Sequence, residues 1–207
     1  MLIYNNAEIE TIHFGDTDIE TGLFNGVTVF EKGKENIVIL RTTKPTLRLS
    51  VFTKEGLDVD VWNAGEKVAV LNSNNATPVT LKDTGQDIVI KGRDIVRLYC
   101  YDNQLISLNV QGLTSLQHLS CSNNKLTSLN VQKLTSLQSL FCHNNQLTSL
   151  NLQGLTSLQE LECKQNQLTA DVFKDIFINL PKTKEGGIAI LYNDGDSNYK
   201  DFTQPPE

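Results

Sequence analysis

LTSLQHLSCSNNKLTSLNVQK, residues 113–133, is followed at once by LTSLQSLFCHNNQLTSLNLQG, residues 134–154. The two stretches differ at six of 21 positions, and cysteine recurs at the same interval at Cys100, Cys121, Cys142 and Cys163. A period near 20 residues marks a solenoid, in which each unit buries its apolar side only by stacking on its neighbours. Written in register, the units run over residues 92–112, 113–133, 134–154 and from 155 onward. Leu119 and Cys121 alternate with polar residues, so His118 to Ser122 reads as a half-buried strand. Stacked in parallel, these strands would carry the cysteines as a buried ladder of small apolar side chains. Like residues on parallel neighbours point the same way into the core, and free thiols are expected. A second column, Asn103, Asn124, Asn145 and Asn166, falls where the chain leaves the strand. There a side-chain amide can satisfy backbone groups of its own turn and of the next coil. Asn, Ser and Thr dominate the remaining positions, which predicts extended segments or short turns on the convex side instead of full helices.

This pattern resembles the leucine-rich-repeat family, whose core reads LxxLxLxxNxL. Here it stands as Leu116-x-x-Leu119-x-Cys121-x-x-Asn124-x-Leu126, with cysteine in place of the third leucine, over about residues 95 to 169. The resemblance implies a right-handed solenoid of four coils with a parallel concave sheet, and hence a mainly β (α+β) chain.

The six differences between the middle repeats are His118/Ser139, Ser120/Phe141, Ser122/His143, Lys125/Gln146, Val131/Leu152 and Lys133/Gly154. Three of them are the outward strand positions. Over four repeats the outward columns are Arg97, His118, Ser139, Glu160; Tyr99, Ser120, Phe141, Glu162; and Tyr101, Ser122, His143, Lys164. Exposed aromatics with arginine are the usual composition of a binding hot spot. Solvent alone would also let such positions drift. The candidate ligand-binding residues are therefore Arg97, Tyr99, Tyr101, His118, Phe141, His143, Glu160, Glu162 and Lys164, and the expected partner is a protein or a glycan.

Residues 34–91 hold short alternating runs: NIVILRTT, TLRLSVFT, LDVDVWN, KVAVLN, PVTLKD and QDIVIKG. Turn residues separate them at Lys44-Pro45, Glu55-Gly56, Ala64-Gly65, Ser73-Asn74-Asn75 and Thr84-Gly85, which predicts about six strands in a small antiparallel sandwich or barrel. An open solenoid needs its first coil covered, and this segment is placed to cap it. The order of parts is similar to cell-surface leucine-rich-repeat proteins of the Bacteroides group. In those a sandwich with a Trp-containing turn precedes the repeats, and Val61-Trp62-Asn63-Ala64-Gly65 would occupy that turn. Residues 1–33 carry a ten-residue repeat, with Tyr4, Phe14 and Phe24 each followed by a turn pair (Asn5-Asn6, Gly15-Asp16, Asn25-Gly26). This predicts a meander of short strands. It is similar to segments of phage tail proteins, which implies possible self-assembly through residues 1–33.

After Leu168 the repeat breaks. Residues 169–207 are expected to form a closing cap. Thr169 to Asn179 reads as an amphipathic helix, with Val172, Phe173, Ile176, Phe177 and Leu180 on the last coil and Ile188 to Tyr192 as a final strand.

Composition narrows the function classes. Net charge is −6 and the basic residues are scattered, so no face for nucleic acid is expected. No apolar run approaches the ~18 residues of a membrane span, and no membrane insertion is expected. The opening MLIYNNAEIETIHFG lacks the marks of a secretory signal. A full-length chain would then be cytoplasmic or part of a phage particle, and a trimmed one at the cell surface. A histidine near a glutamate can do acid–base work or bind a metal. His118 and His143, however, would lie on a shallow open sheet without a fixed third ligand. Asp194-Gly195-Asp196-Ser197-Asn198 begins like a calcium loop, but Tyr199 replaces the expected glycine and Pro205 the closing glutamate. No metal, cofactor or catalytic residue is expected, and the chain reads as a non-enzymatic binding module or, alternatively, a component of a phage tail-like assembly.

Overall fold

A computed structural model describes residues 35–72, 75–181 and 187–191 in full, and the strand backbone within residues 3–31. The chain divides into two compact units, Met1–Lys34 and Glu35–Glu207.

In the first unit the ten-residue period becomes three antiparallel hairpins. β1 (Ile3–Tyr4) pairs with β2 (Ala7–Glu8), β3 (His13–Phe14) with β4 (Thr17–Asp18), and β5 (Thr21–Phe24) with β6 (Val27–Glu31). Tyr4 faces Ala7, Phe14 faces Thr17 and Phe24 faces Val27. The three turn pairs themselves lie outside the described residues.

The second unit begins with the six strands expected from alternation: β7 (Glu35–Thr42), β8 (Thr46–Thr53), β9 (Val59–Asn63), β10 (Glu66–Leu71), β11 (Thr77–Thr80) and β12 (Ile88–Arg93). The hairpin β9–β10 turns at Ala64 and Gly65, both at positive φ (53° and 78°), the conformation a tight two-residue hairpin requires. Trp62 conforms to the run LDVDVWN, which predicts a strand, and departs from the turn that the Bacteroides resemblance implied. It lies in β9, not in the turn, with the Lys67 and Lys91 ammonium groups 5.7 and 5.3 Å from its ring. The strand's alternation decides this: Val59, Val61 and Asn63 are buried, so Trp62 must point to the other face.

The repeats supply β13 (Ile95–Tyr99), β14 (Leu105–Asn109), β15 (His118–Ser120), β16 (Ser139–Phe141) and β17 (Glu160–Glu162), and after α1 (Ala170–Asn179) the chain ends its described part in β18 (Ile188–Ile190). Two larger sheets result. One has the order β10-β9-β12-β7-β14 with antiparallel neighbours. The other runs β11-β8-β13-β15-β16-β17-β18, antiparallel up to β13 and parallel from there on. The strand of the first repeat thus pairs directly with β8, and one sheet runs without a break from β11 and β8 into the repeats.

The parallel steps β13 to β15, β15 to β16 and β16 to β17 amount to about three turns of a β-solenoid. The four coils expected from counting repeats are not all completed, because the fourth repeat leaves the pattern at Thr169 to enter α1. Inside, Leu119, Leu140 and Leu161 stack in register, and all four cysteines are buried and none is in a disulfide, as expected for like residues on parallel neighbours. Each buried leucine contributes roughly 1.5–3 kcal/mol. The segments between the parallel strands hold single turns such as Leu113 N–H to Val110 O (3.3 Å) and Leu134 N–H to Val131 O (3.2 Å).

The buried asparagines tie each coil to the one before it. Asn124 Oδ1 accepts from the N–H groups of Asn103 (3.1 Å) and Leu105 (2.9 Å), while Nδ2 donates toward the carbonyls of Cys100, Cys121 and Ser122 (3.0, 3.0 and 3.1 Å). Asn145 and Asn166 repeat the arrangement one and two coils further on. The partner coil is the preceding one, where the sequence reading expected the following one. Asn103, the first of the column, has no earlier coil and instead brackets the backbone of Arg48 on β8, accepting from its N–H at 2.9 Å and donating to its carbonyl at 2.8 Å.

The residue before each ladder asparagine sits in the left-handed region: Asp102, Asn123, Asn144 and Gln165, at φ between 52° and 56°. A second left-handed position recurs at Gly112 (88°), Lys133 (69°) and Gly154 (85°). Glycine meets no Cβ clash there, and Lys133 does. Lys133→Gly is therefore expected to stabilise the protein by about 0.5–1 kcal/mol despite glycine's unfolded-state entropy, read as a higher urea midpoint. An unchanged or lower midpoint would show that the exposed lysine relaxes without strain.

At the far end, Thr169 precedes α1 in extended conformation (φ −82°, ψ 167°) but its side chain makes no cap hydrogen bond. Phe173 and Ile176 are buried, with Val172 and Leu180 packed beside them. Phe177, expected on the core, is 47% exposed, because the stripe that packs inward is centred on Phe173 and Ile176 and Phe177 falls at its edge. The last strand is shorter than expected, and Tyr192 lies outside the described residues. Among the described residues no helix is long and apolar enough to cross a membrane.

Candidate functional site

The outward face of the parallel sheet is built from the strand positions that alternate with Leu98, Leu119, Leu140 and Leu161. Register aligns Arg97, His118, Ser139 and Glu160 in one row, and Tyr99, Ser120, Phe141 and Glu162 in the next. Beyond the strands, Asp102 N–H to Ser122 O (3.2 Å), Asn123 N–H to His143 O (3.0 Å) and Asn144 N–H to Lys164 O (3.1 Å) carry the alignment on past Tyr101. Six of the nine residues singled out from repeat divergence therefore lie in one sheet, and Tyr101, His143 and Lys164 lie two residues past the ends of its strands.

Their exposure is uneven. Arg97, Tyr101 and Glu160 are exposed, and Tyr99, His118, Phe141, His143, Glu162 and Lys164 are half-buried. Ser120, Ser122 and Ser139 are buried among them, because short side chains on closely spaced strands are roofed by longer neighbours.

Two clusters stand at opposite ends. Toward the fourth repeat, Glu162 is shared: Lys164 Nζ lies 2.6 Å from Oε1, and His143 Nδ1 lies 3.3 Å from Oε2 without the alignment of a hydrogen bond. Ser139 Oγ donates to Glu160 Oε2 at 2.9 Å. His118 stands between Arg97 and Glu160. Partial burial, helped by the Arg97 charge, lowers its pKa below the ordinary 6.5, and Glu160 opposes the shift. The imidazole is thus mainly neutral at pH 7.

Toward the first repeat, aromatic and cationic side chains gather around β8. The Phe52 and Tyr99 rings meet edge to face, with centroids 5.7 Å apart at 84°. Arg97 lies over Phe52 with its guanidinium carbon 5.8 Å from the ring centroid. Beside them is a cleft of about 480 Å³ lined by Lys44, Arg48, Ser50, Tyr99, Tyr101 and Asp102, among others. Lys44 Nζ donates to the Asp102 carbonyl at 2.6 Å, which holds the ammonium at the rim.

The β8 residues were not among those found from the repeats. Alternation in TLRLSVFT does put Arg48, Ser50 and Phe52 on one face, opposite Leu47, Leu49 and Val51. What the sequence does not reveal is that β8, out of six candidate strands, borders the first repeat. That pairing is long-range, and β8 lies outside the 21-residue period that flagged the other columns.

Among the described residues no three His, Cys, Asp or Glu side chains cluster as a metal site requires. The Asp194–Asn198 segment considered for calcium lies outside the described residues. No family model, no curated protein and no solved structure matches this chain, so its function rests on its own geometry.

Proposed function

We propose that this chain is a non-enzymatic recognition module of the leucine-rich-repeat type. In this reading a right-handed solenoid is capped by a β-sandwich over residues 34–91 and captures a protein or glycan through its concave face. The resemblance to Bacteroides-type surface proteins would put such a module at the cell surface. One observation carries the reading. The middle two repeats keep every buried leucine, cysteine and asparagine and exchange only Val131 for Leu152 in the core, while three of their six differences fall at outward strand positions and change chemistry completely. An open face of aromatics, cations and carboxylates set among buried serines suits capture of an extended ligand better than chemistry, which needs a dry, enclosed centre.

The decisive variant replaces Tyr99, Tyr101 and Phe141 together with serine. On protein and glycan arrays it should lose capture by tenfold or more, a loss of at least ~1.4 kcal/mol, while its circular dichroism and melting behaviour stay those of a folded chain. Undiminished capture by the folded variant would remove the concave face from consideration.

A second reading, a structural component of a phage tail-like assembly, is favoured by the separate compact unit Met1–Lys34 with its three repeated hairpins. Deleting that unit and measuring mass in solution distinguishes the two. Loss of an oligomer with ligand capture intact supports assembly through residues 1–33.

A further inference from the structure

The cleft at the junction of β8 and β13 has features that the rest of the concave face lacks. Its volume of about 480 Å³ falls within the range of small-ligand sites, roughly 300–1,000 Å³. Tyr99 and Tyr101, two residues apart, line the first-repeat side, and Tyr101 is 48% exposed. Arg48 and Ser50 line the β8 side and Lys44 stands at the rim.

The parts are preorganised. Tyr99 is set edge-on against Phe52, and the Arg48 backbone is gripped on both sides by the buried Asn103 amide. Arg48 has no carboxylate partner among the described residues. Lys44 spends one of its donors on a backbone carbonyl and keeps two. One carboxylate, Asp102, lines the cleft against these two cations. β8 is paired on both edges, by β11 and β13, so a ligand here cannot add as a strand and must be read by side chains alone.

We propose that this cleft takes a short anionic saccharide of the uronate type, its CH faces lying on Tyr99 and Tyr101 and its carboxylate meeting Arg48 and Lys44. The inference rests on the concave-face reading and narrows it to one ligand class at one end. Tyrosine offers a flat apolar face with a polar tip, which matches a pyranose ring that is apolar on its faces and hydroxylated at its edge. A guanidinium fork matches a carboxylate.

The test is titration calorimetry on the full chain with tetragalacturonate, its methyl ester and hexaglutamate. Tetragalacturonate should bind, the ester at least tenfold more weakly, and Arg48→Ala and Tyr101→Ala should each lose about tenfold toward the acid. Lys174→Ala, on the exposed side of α1, should bind as the parent does. Equal affinity for acid and ester overturns the proposal, as does tighter binding of hexaglutamate through the same residues, which would make the cleft an acidic-peptide site. Absence of binding by tetragalacturonate, tetramannuronate and tetraguluronate alike overturns it too. The broader reading has a separate arm. Array capture that survives Arg48→Ala but is lost in the Tyr99, Tyr101 and Phe141 triple variant keeps the concave face while discarding the uronate.

Discussion

Asn124→Ala should lower stability by about 3–5 kcal/mol, a large share of the roughly 5–15 kcal/mol of net stability that a domain has. The substitution removes a side chain that serves five backbone groups. The N–H groups of Asn103 and Leu105 would lose their acceptor, and the carbonyls of Cys100, Cys121 and Ser122 a donor. All lie where water has little access, so each orphaned donor costs ~1–3 kcal/mol. Alanine is also too small to fill the space, which adds a cavity term. Asn109→Ala is the matched control. Asn109 is exposed, and its Oδ1 accepts only the Gln111 N–H at 2.9 Å, so water replaces it at a cost of no more than ~1 kcal/mol. Urea denaturation of both variants gives the comparison. If Asn124→Ala lies within 1 kcal/mol of Asn109→Ala, the buried ladder is not what joins the coils.

The second large effect is expected at alkaline pH. Burial pushes the Cys121 thiol up to about 12 from an ordinary 9.0, and it raises Cys100 and Cys142 as well, with neighbouring thiols adding to the effect on those two. In the unfolded chain these thiols ionise near pH 9, whereas in the folded chain they keep their protons. Between the two values the folded state holds more protons, so stability falls as pH rises. It is fully present below about pH 9 and is lost progressively toward the folded values. Each thiol contributes a slope of about −1.4 kcal/mol per pH unit in that window, and three together about −4. Urea midpoints should therefore drop steeply between pH 9 and pH 11. Replacing Cys100, Cys121 and Cys142 with alanine lowers stability at neutral pH but should flatten the alkaline limb. An equally steep limb in that variant would move the cause to other groups. The same burial predicts that thiol reagents leave the native protein untouched at pH 8 and react only on unfolding.

Both effects come from columns visible in the sequence, and the reason is physical. A solenoid imposes one environment on every equivalent position, so Cys100, Cys121, Cys142 and Cys163 announce a shared burial, and Asn103 through Asn166 a shared set of backbone partners. Alternation was equally direct for β7, β9 and β12, where period 2 follows from one buried face, whereas β10 shifts register between Lys67 and Ala69 and buries only Leu71. What failed was sensitive to neighbours outside the pattern. Trp62 was placed in a turn on resemblance, although its own alternation with Val61 and Asn63 puts it in a strand. Phe177 was assigned to the core by helical period, but the width of the stripe that α1 buries depends on how the last coil meets it.

For the candidate site, the sequence by itself determined which side chains share the outward face of the repeats, because divergence within an otherwise constant unit isolates them. Only the tertiary structure decided what stands beside them. The pairing of β8 with β13 brings Arg48, Ser50 and Phe52 next to Tyr99 and turns an open row into a cleft. Such a pairing joins residues more than 40 apart, and its choice among six similar strands is made by packing of the whole core, not by any local preference.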